Sequence, residues 1–303
     1  MSASQSRVAY VTCEPRQSEW EDDLLSAEVL GQRGVSVEFV AWDDPGADWD
    51  SFDLVVVRSA WDYTDRLGEF LTWADSVGAD KLRNPPEVLR WNTDKRYLAE
   101  LDGAGLPVPP TLLIAPGGPV PDFGGKVVIK PVTGAGARDT GVFSDNSRAG
   151  AMELLGRLGD QGEVAMVQPY IEEINEVGET AVLFFGGRFA FALKKRAFLP
   201  EVGVPETKPG TKVAAAMFAD DLVVLTEASD EEIDLGLKTI AWLTHRFGPM
   251  PLYARIDMVS TRNAGPVLME VELTEPSLYL SKTTSLDVTG AELFADAVES
   301  ELA

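Results

Sequence analysis

Apolar positions in the first third of the chain follow the rhythm of strands alternating with helices. Residues 7–13 form an apolar run of strand length. Ser18 and Glu21 make an S-x-x-E capping box, which predicts a helix running to Gly34. Residues 36–42 predict a second strand, and residues 54–60 (LVVVRSA) a buried third. A helix over 64–77, stopped by Gly78, completes a β-α-β-β-α series. Such alternation predicts a parallel sheet covered by helices. Asn84-Pro85-Pro86 interrupts the pattern and marks a boundary.

Beyond it, residues 93–101 predict a short helix ended by Gly103 and Gly105. Strands at 126–131 and 164–170 flank a glycine-rich loop and a helix near 147–158, which suggests a small α+β lobe. The last third is mostly extended. Glu179–Phe185 and Arg188–Lys195 surround Gly186-Gly187, a hairpin turn signal. A helix over 229–247 opens on its own box, Ser229 with Glu232. Residues 253–260 and 266–274 predict a second hairpin, and a final helix starts at Thr289 with Glu292.

The composition sharpens this picture by exclusion. The 303 residues are 45% hydrophobic and 25% charged, enough apolar sequence for a core without staples. The net charge of −23 repels nucleic acid and anionic membranes. No apolar run approaches the ~18 residues of a membrane span, and the start lacks a signal-peptide core. With one Cys (Cys13) and one His (His245), disulfide frameworks and Cys/His zinc sites are excluded, and a cytoplasmic chain is the natural reading. His245 reads as a residue of a helix's last turn. Chemistry must then run on carboxylates, lysines, arginines, backbone amides or a hard metal ion.

Five local patterns could carry it, one of them the apolar run over 164–170 followed by IEEINE, which reads as a purine-edge contact or as ordinary core. In YARIDMV and PVLMEVELT, alternation puts Arg255 with Asp257, and Glu270 with Glu272, on single faces. A register that sets residue 257 opposite 270 also sets 255 opposite 272, with Val267, Met269, Val271 and Leu273 on the other side. Carboxylates that close need a neutralising partner such as Mg²⁺, unless the hairpin face is simply solvated. KPVTGAGARDTG ends a strand in Lys130 and continues in a loop whose small residues let backbone amides approach phosphate; a plain surface loop is the alternative. Arg58 follows a buried parallel strand, where ligands collect, and suits a substrate carboxylate or a brace to Asp62. Lys194-Lys195-Arg196 gathers cations in an acidic chain, as an anion site or as a protected edge strand.

In this order, a lysine after a helix start, a strand lysine with a glycine-rich loop, Q-P-Y-I, R-x-D and E-x-E resemble the ATP-grasp ligases over roughly residues 85–280. VRSAWDY, VGE, KKR and EVELTEPSLYL look like the glutathione-synthetase-like branch, and are most similar to the cyclo-ligases that close O-ureido-D-serine into D-cycloserine.

The resemblance implies an ATP-grasp fold of the α/β class: a substrate-side domain over 1–90, a lid lobe over 91–172 and a catalytic lobe over 173–303 with a mostly antiparallel sheet. It implies ATP and Mg²⁺, two ions with Mn²⁺ able to substitute, and a small amino-acid-like substrate whose carboxylate becomes an acyl phosphate. By the same resemblance Lys95, Lys130, Thr133, Gly134 and Gly136 hold the phosphates. Gln168, Pro169, Tyr170 and Ile171 line the adenine pocket, and Glu176 meets the ribose. Asp257, Glu270 and Glu272 bind metal, with Glu-x-Glu where the family commonly has Glu-x-Asn. Arg255 and Lys195 act at the acyl phosphate. Arg58, Ser59, Glu179 and Ser277 face the substrate. A homo-oligomer is left open.

Overall fold

The computed structural model describes residues 5–13, 21–207, 222–248 and 250–303. The first sheet is parallel throughout, in the order β2-β1-β3-β4, from β1 (Arg7–Thr12), β2 (Ser36–Ala41), β3 (Leu54–Ser59) and β4 (Leu82–Arg83). Helices α1 (Glu21–Gln32) and α2 (Leu67–Val77) are the crossovers that parallel strands require. Ser18, expected to cap α1, lies outside the described residues. Helix α2 starts later than predicted. Trp61–Asp65 form a tight turn first, and Arg66 leaves helical geometry at φ −136°.

The Pro-Pro boundary was expected to break structure. It instead begins a helix, α3 (Pro86–Asn92), because proline fits the first helical position, where its missing N–H costs nothing. The helix expected over 93–101 is shifted to α4 (Tyr97–Gly103). Both helices pack through Val88, Tyr97, Leu98 and Leu101 onto the C-terminal sheet.

The middle sheet, in the order β5-β8-β6-β7, joins β5 (Leu112–Ile114), β6 (Val127–Pro131), β7 (Gly141–Phe143) and β8 (Ala165–Pro169) in antiparallel pairs, with α5 (Arg148–Asp160) covering it. The short α6 (Ile174–Val177) leads into the third sheet. That sheet is antiparallel, β11-β10-β9-β12-β13, from β9 (Glu179–Phe185), β10 (Arg188–Lys195), β11 (Val223–Thr226), β12 (Tyr253–Thr261) and β13 (Gly265–Glu272).

Helix α7 (Asp230–Phe247) lies on the face carrying Val182, Phe184 and Ile256, and α8 (Gly290–Leu302) on the face carrying Leu183, Phe185 and Tyr253. The boxes at Ser229/Glu232 and Thr289/Glu292 form as the sequence predicts, and His245 sits in the last turn of α7. The second face also meets β1 and β3 through Tyr10 and Val56, so the first domain docks against the third sheet. No helix among the described residues is long and apolar enough to cross a membrane.

Candidate active site

The face that meets α8 is apolar at one end and charged at the other. β12 and β13 pair Arg255 with Glu272 and Asp257 with Glu270, the register that alternation predicts. Past Asp257 the register shifts, so Met258 pairs with Leu268. This bulge places two β13 residues against one and turns Leu268 into the core, where Val267 and Met269 were expected.

Lys195 comes from β10, one strand beyond β9, and is paired across to Glu179 on β9. Its Nζ lies 2.6 Å from Asp257 Oδ2 and 2.9 Å from Glu179 Oε2. β11 covers β10, so the KKR segment is no sheet edge. Nor is it one patch. Lys194 points to the opposite face and donates to Thr180 Oγ1 (2.7 Å), which itself donates to Glu232 (2.6 Å).

Arg255 is buried and donates from Nε and Nη2 to Asp257, 3.1 and 3.0 Å, and from Nη1 to the Ser277 carbonyl, 3.0 Å. It also pairs with Glu272. Lys95, at the start of α4, bridges Glu270 Oε1 (2.8 Å) and the carbonyl of Gly134 in the glycine-rich loop (2.6 Å). Lys130 stands at the end of β6 with no carboxylate in ion-pair reach among the described residues. Gly136 takes φ +63° in that loop, a left-handed turn that suits glycine, and Thr133 is half-buried beside it.

These neighbours set the charges. Burial would raise Asp257, but Arg255 and Lys195 outweigh it and hold the carboxyl below its usual range. Burial works the same way on Glu270, yet Lys95 and Lys130 bring it to about 2. Glu272 goes the other way, to about 7, because burial is joined by repulsion from Asp257 and Glu270 and Arg255 does not offset both. Burial pushes the Lys130 amine down, and its attraction to Glu270 does not make up the difference.

Among the described residues no three Asp, Glu, His or Cys side chains converge closely enough by themselves to hold a metal ion. Arg255 stands between Asp257 and Glu272, while Lys195 also pairs with Asp257 Oδ2 and Lys95 with Glu270 Oε1. The donor chemistry still fits Mg²⁺, which takes carboxylate oxygens alongside phosphate. A cation beside Glu270 and Glu272 would relieve the repulsion that adds to burial in raising Glu272.

Arg58 is buried at the domain junction. Its partner is Asp23 on α1 (Nε to Oδ1, 3.1 Å), and its guanidinium lies over the rings of Tyr253 and Phe294. The alternative brace, Asp62, instead accepts from Trp42 and Arg66. Among the described residues, Arg58 Nη1 and Asp23 Oδ2 are buried without a hydrogen-bond partner. Ser59 donates to Thr12 Oγ1 (3.1 Å), and Ser277 contributes its carbonyl to Arg255.

The residues expected at adenine lie along the end of β8. Gln168 is buried and donates to Thr111, Pro169 is exposed, and Ile171 is half-buried. Tyr170 donates to Asn175 and carries Lys126 over its ring. Glu176 is on the surface, paired with Arg262.

Sequence reading passed over Glu275, three positions beyond the E-x-E pair. Its carbonyl accepts from Trp61 Nε1 (3.4 Å), and its carboxylate faces the Tyr63 hydroxyl. The available signal was the extra acid in EVELTEP.

The chain matches the family model of the N-terminal domain of the D-cycloserine synthetase DcsG over residues 8–84. It is 33% identical over 281 residues to the cycloserine biosynthesis protein DcsG of Streptomyces lavendulae, covering 89% of this chain and 90% of that protein. The crystal structure of D-cycloserine synthetase DcsG superposes with a TM-score of 0.83 at 29% identity, covering 98% and 100% of the two chains. The glutathione synthetase of Bordetella parapertussis is 26% identical over 275 residues, 86% of this chain and 77% of that one. The ATP-grasp ligase PsnB, solved with a precursor variant, Mg and ADP, shares the fold at a TM-score of 0.62 and 16% identity, covering 99% of each chain.

Proposed function

The chain belongs to the DcsG family of ATP-grasp ligases, and from that premise we propose that it closes an amino-acid-like substrate on itself, turning O-ureido-D-serine into D-cycloserine, with the carbamoyl group hydrolysed away as carbon dioxide and ammonia and ATP converted to ADP and phosphate. Membership makes it an ATP-dependent enzyme that forms a C–N bond. The proposal adds the substrate, the acyl-phosphate route and the residues.

One observation carries it. The face built by Lys195, Arg255, Asp257, Glu270 and Glu272 pairs every cation with a carboxylate, and Lys130 beside it lacks one. A half-buried lysine with no carboxylate in contact is unfavourable, and a phosphate removes the penalty. Lys130 and Lys95 would hold the nucleotide phosphates. The loop carrying Thr133, Gly134 and Gly136 would close over them through its backbone amides. Gln168, Pro169, Tyr170 and Ile171 would line the adenine pocket and Glu176 would meet the ribose.

Asp257, Glu270 and Glu272 would hold Mg²⁺, which when bound neutralises phosphate charge. Arg255, fixed by Asp257 and Ser277, would stabilise negative charge on the transferring phosphoryl group. Lys195 would hold the same oxygens from the other side. Arg58, Ser59, Glu179 and Ser277 would position the substrate. Positioning and charge neutralisation are the main demands of phosphoryl transfer, so a chain with one His and one Cys is adequate. The middle sheet would act as the lid that keeps water from the acyl phosphate. A buried free thiol, Cys13, agrees with a cytoplasmic setting.

A screen of ADP release over amino acids and ureido-amino acids, with products identified by mass, tests the proposal. We expect O-ureido-D-serine alone to drive Mg²⁺-dependent ADP release and to yield D-cycloserine, and Lys130→Ala and Glu270→Ala to abolish it. ADP release that requires a second amine would favour an intermolecular ligase, the reading to which the likeness to glutathione synthetase points. No ADP with any carboxylate, or full turnover in the two variants, would refute the assignment.

A further inference from the structure

Three of the carboxylates around this site already have cations. Asp257 has Lys195 and Arg255, Glu270 has Lys95, and Glu272 has Arg255. Deeper in the junction, Asp23 has Arg58. Glu275 is different: among the described residues, no lysine or arginine lies within ion-pair reach of it.

Its position is nevertheless firmly built. The Glu275 carbonyl accepts from Trp61, the Pro276 carbonyl from Arg58 (3.5 Å), and the Ser277 carbonyl from Arg255 (3.0 Å). Three successive carbonyls thus tie this segment to the first domain on one side and to the charged face on the other. The carboxylate faces Tyr63, itself buried and stacked 4.9 Å from Phe70. Glu275 is half-buried rather than sealed from solvent.

A carboxylate with this setting and no cation in contact is unfavourable as an ion, because the Tyr63 hydroxyl and the more distant charges of Lys95 and Arg255 do not offset its surroundings. Burial, reinforced by the charge of Glu272, pushes its carboxyl up to about 8. The site therefore offers two unmatched groups of opposite kind, Lys130 toward the middle sheet and Glu275 toward the first domain. An amino-acid-like substrate brings a group that fits the second.

We propose that Glu275 is the counter-ion for the substrate's ammonium group, and so determines selection of amino-acid carboxylates over carboxylates that lack an amine. The role rests on the preceding reading that the substrate is an amino-acid-like carboxylate. It places the ammonium on the Trp61–Tyr63 side of the cleft, past the end of β13.

The test compares O-ureido-D-serine with its desamino counterpart, 3-(ureidooxy)propanoate, in the wild type and in Glu275→Gln and Glu275→Asp. The readout is the ratio of kcat/KM values for ADP release with the two substrates. We expect Glu275→Gln to lower that ratio by about tenfold or more, mainly through KM for the amine substrate, as a site built for a polar group rejects its absence. KM for ATP and the half-saturating Mg²⁺ concentration should stay unchanged, and Glu275→Asp should restore part of the ratio. Equal losses on both substrates would make Glu275 a structural tie and overturn the proposal. So would a shift confined to Mg²⁺ dependence, which would make it a metal ligand. A wild type that turns over neither substrate removes the O-ureido-D-serine reading and this proposal with it, whereas a wild type that turns over both alike removes only the proposal.

Discussion

Lys195 and Asp257 hold each other ionised. Burial opposes the lysine's charge, but Asp257 and Glu179 outweigh it and raise the amine above its usual range. Replacing it by methionine keeps the length and removes the charge. Glu179 then lacks a cation and Asp257 keeps only Arg255. We expect Lys195→Met to lose on the order of 2–3 kcal/mol in urea unfolding, at the low end for a broken buried pair. ADP formation should fall about 100-fold or more. An unchanged urea midpoint would mean that water has replaced the ammonium.

At this scale the sequence was legible wherever period two applies. Arg255, Asp257, Glu270 and Glu272 share a face because strand side chains alternate, and both cross-strand pairs form. Partners supplied from afar were not legible. Arg58 is braced by Asp23 rather than the nearer Asp62, and Glu275 gains its surroundings from Trp61 and Tyr63.

Elements set the site through close approaches. Gly178 precedes β9 at φ +68°, and a Cβ there would lie 2.4 Å from the Lys195 carbonyl oxygen. Gly178→Ala would combine a left-handed alanine with a backbone clash, at a cost of about 1–3 kcal/mol. We expect it to push β10 away from β9, reducing ADP formation together with the thermal midpoint. Normal activity with a lowered midpoint would show that Lys195 keeps its place.

Helix α7 is fixed to the sheet by Glu232, which accepts from the Ser229 amide, from Thr180 and from Ser260. Burial would raise this carboxyl, but those donors and Lys194 hold it below its ordinary value of 4.5. A lowered folded-state value contributes stability above the unfolded value, and that stability is lost as pH falls. We therefore expect Glu232→Gln to be about 1–2 kcal/mol less stable at pH 7, with the gap closing as pH falls through 4.5 and below. A gap independent of pH would contradict the ionised bond.

The hairpins and capping boxes were legible because their signals are local. The bulge at Met269 was not, since it follows from packing on the C-terminal sheet, whereas Pro86 is a local helix-start signal that reads equally well as a break.

Over the whole molecule, three sheets are brought to one cleft, and Asn84 is a principal tie. Its Nδ2 donates to the carbonyls of Tyr253 (3.0 Å) and Leu273 (2.7 Å), and its Oδ1 accepts from the Leu252 amide (2.9 Å). The first domain is thereby fastened to both strands that carry the carboxylates. Asn84→Ala would leave three buried backbone groups unpaired, costing about 3 kcal/mol after partial relaxation. We expect the thermal midpoint and ADP formation to fall together. In sequence, Asn84 looked like a linker residue, because nothing local shows that its side chain enters the third sheet.

The central claim is that these parts together join phosphoryl transfer to C–N closure through an acyl phosphate. Turnover of O-ureido-D-serine labelled with ¹⁸O in its carboxylate tests this most directly. The account predicts that the inorganic phosphate released carries one ¹⁸O atom from the substrate, matched to each D-cycloserine formed. Phosphate free of label, with D-cycloserine still produced, would contradict it.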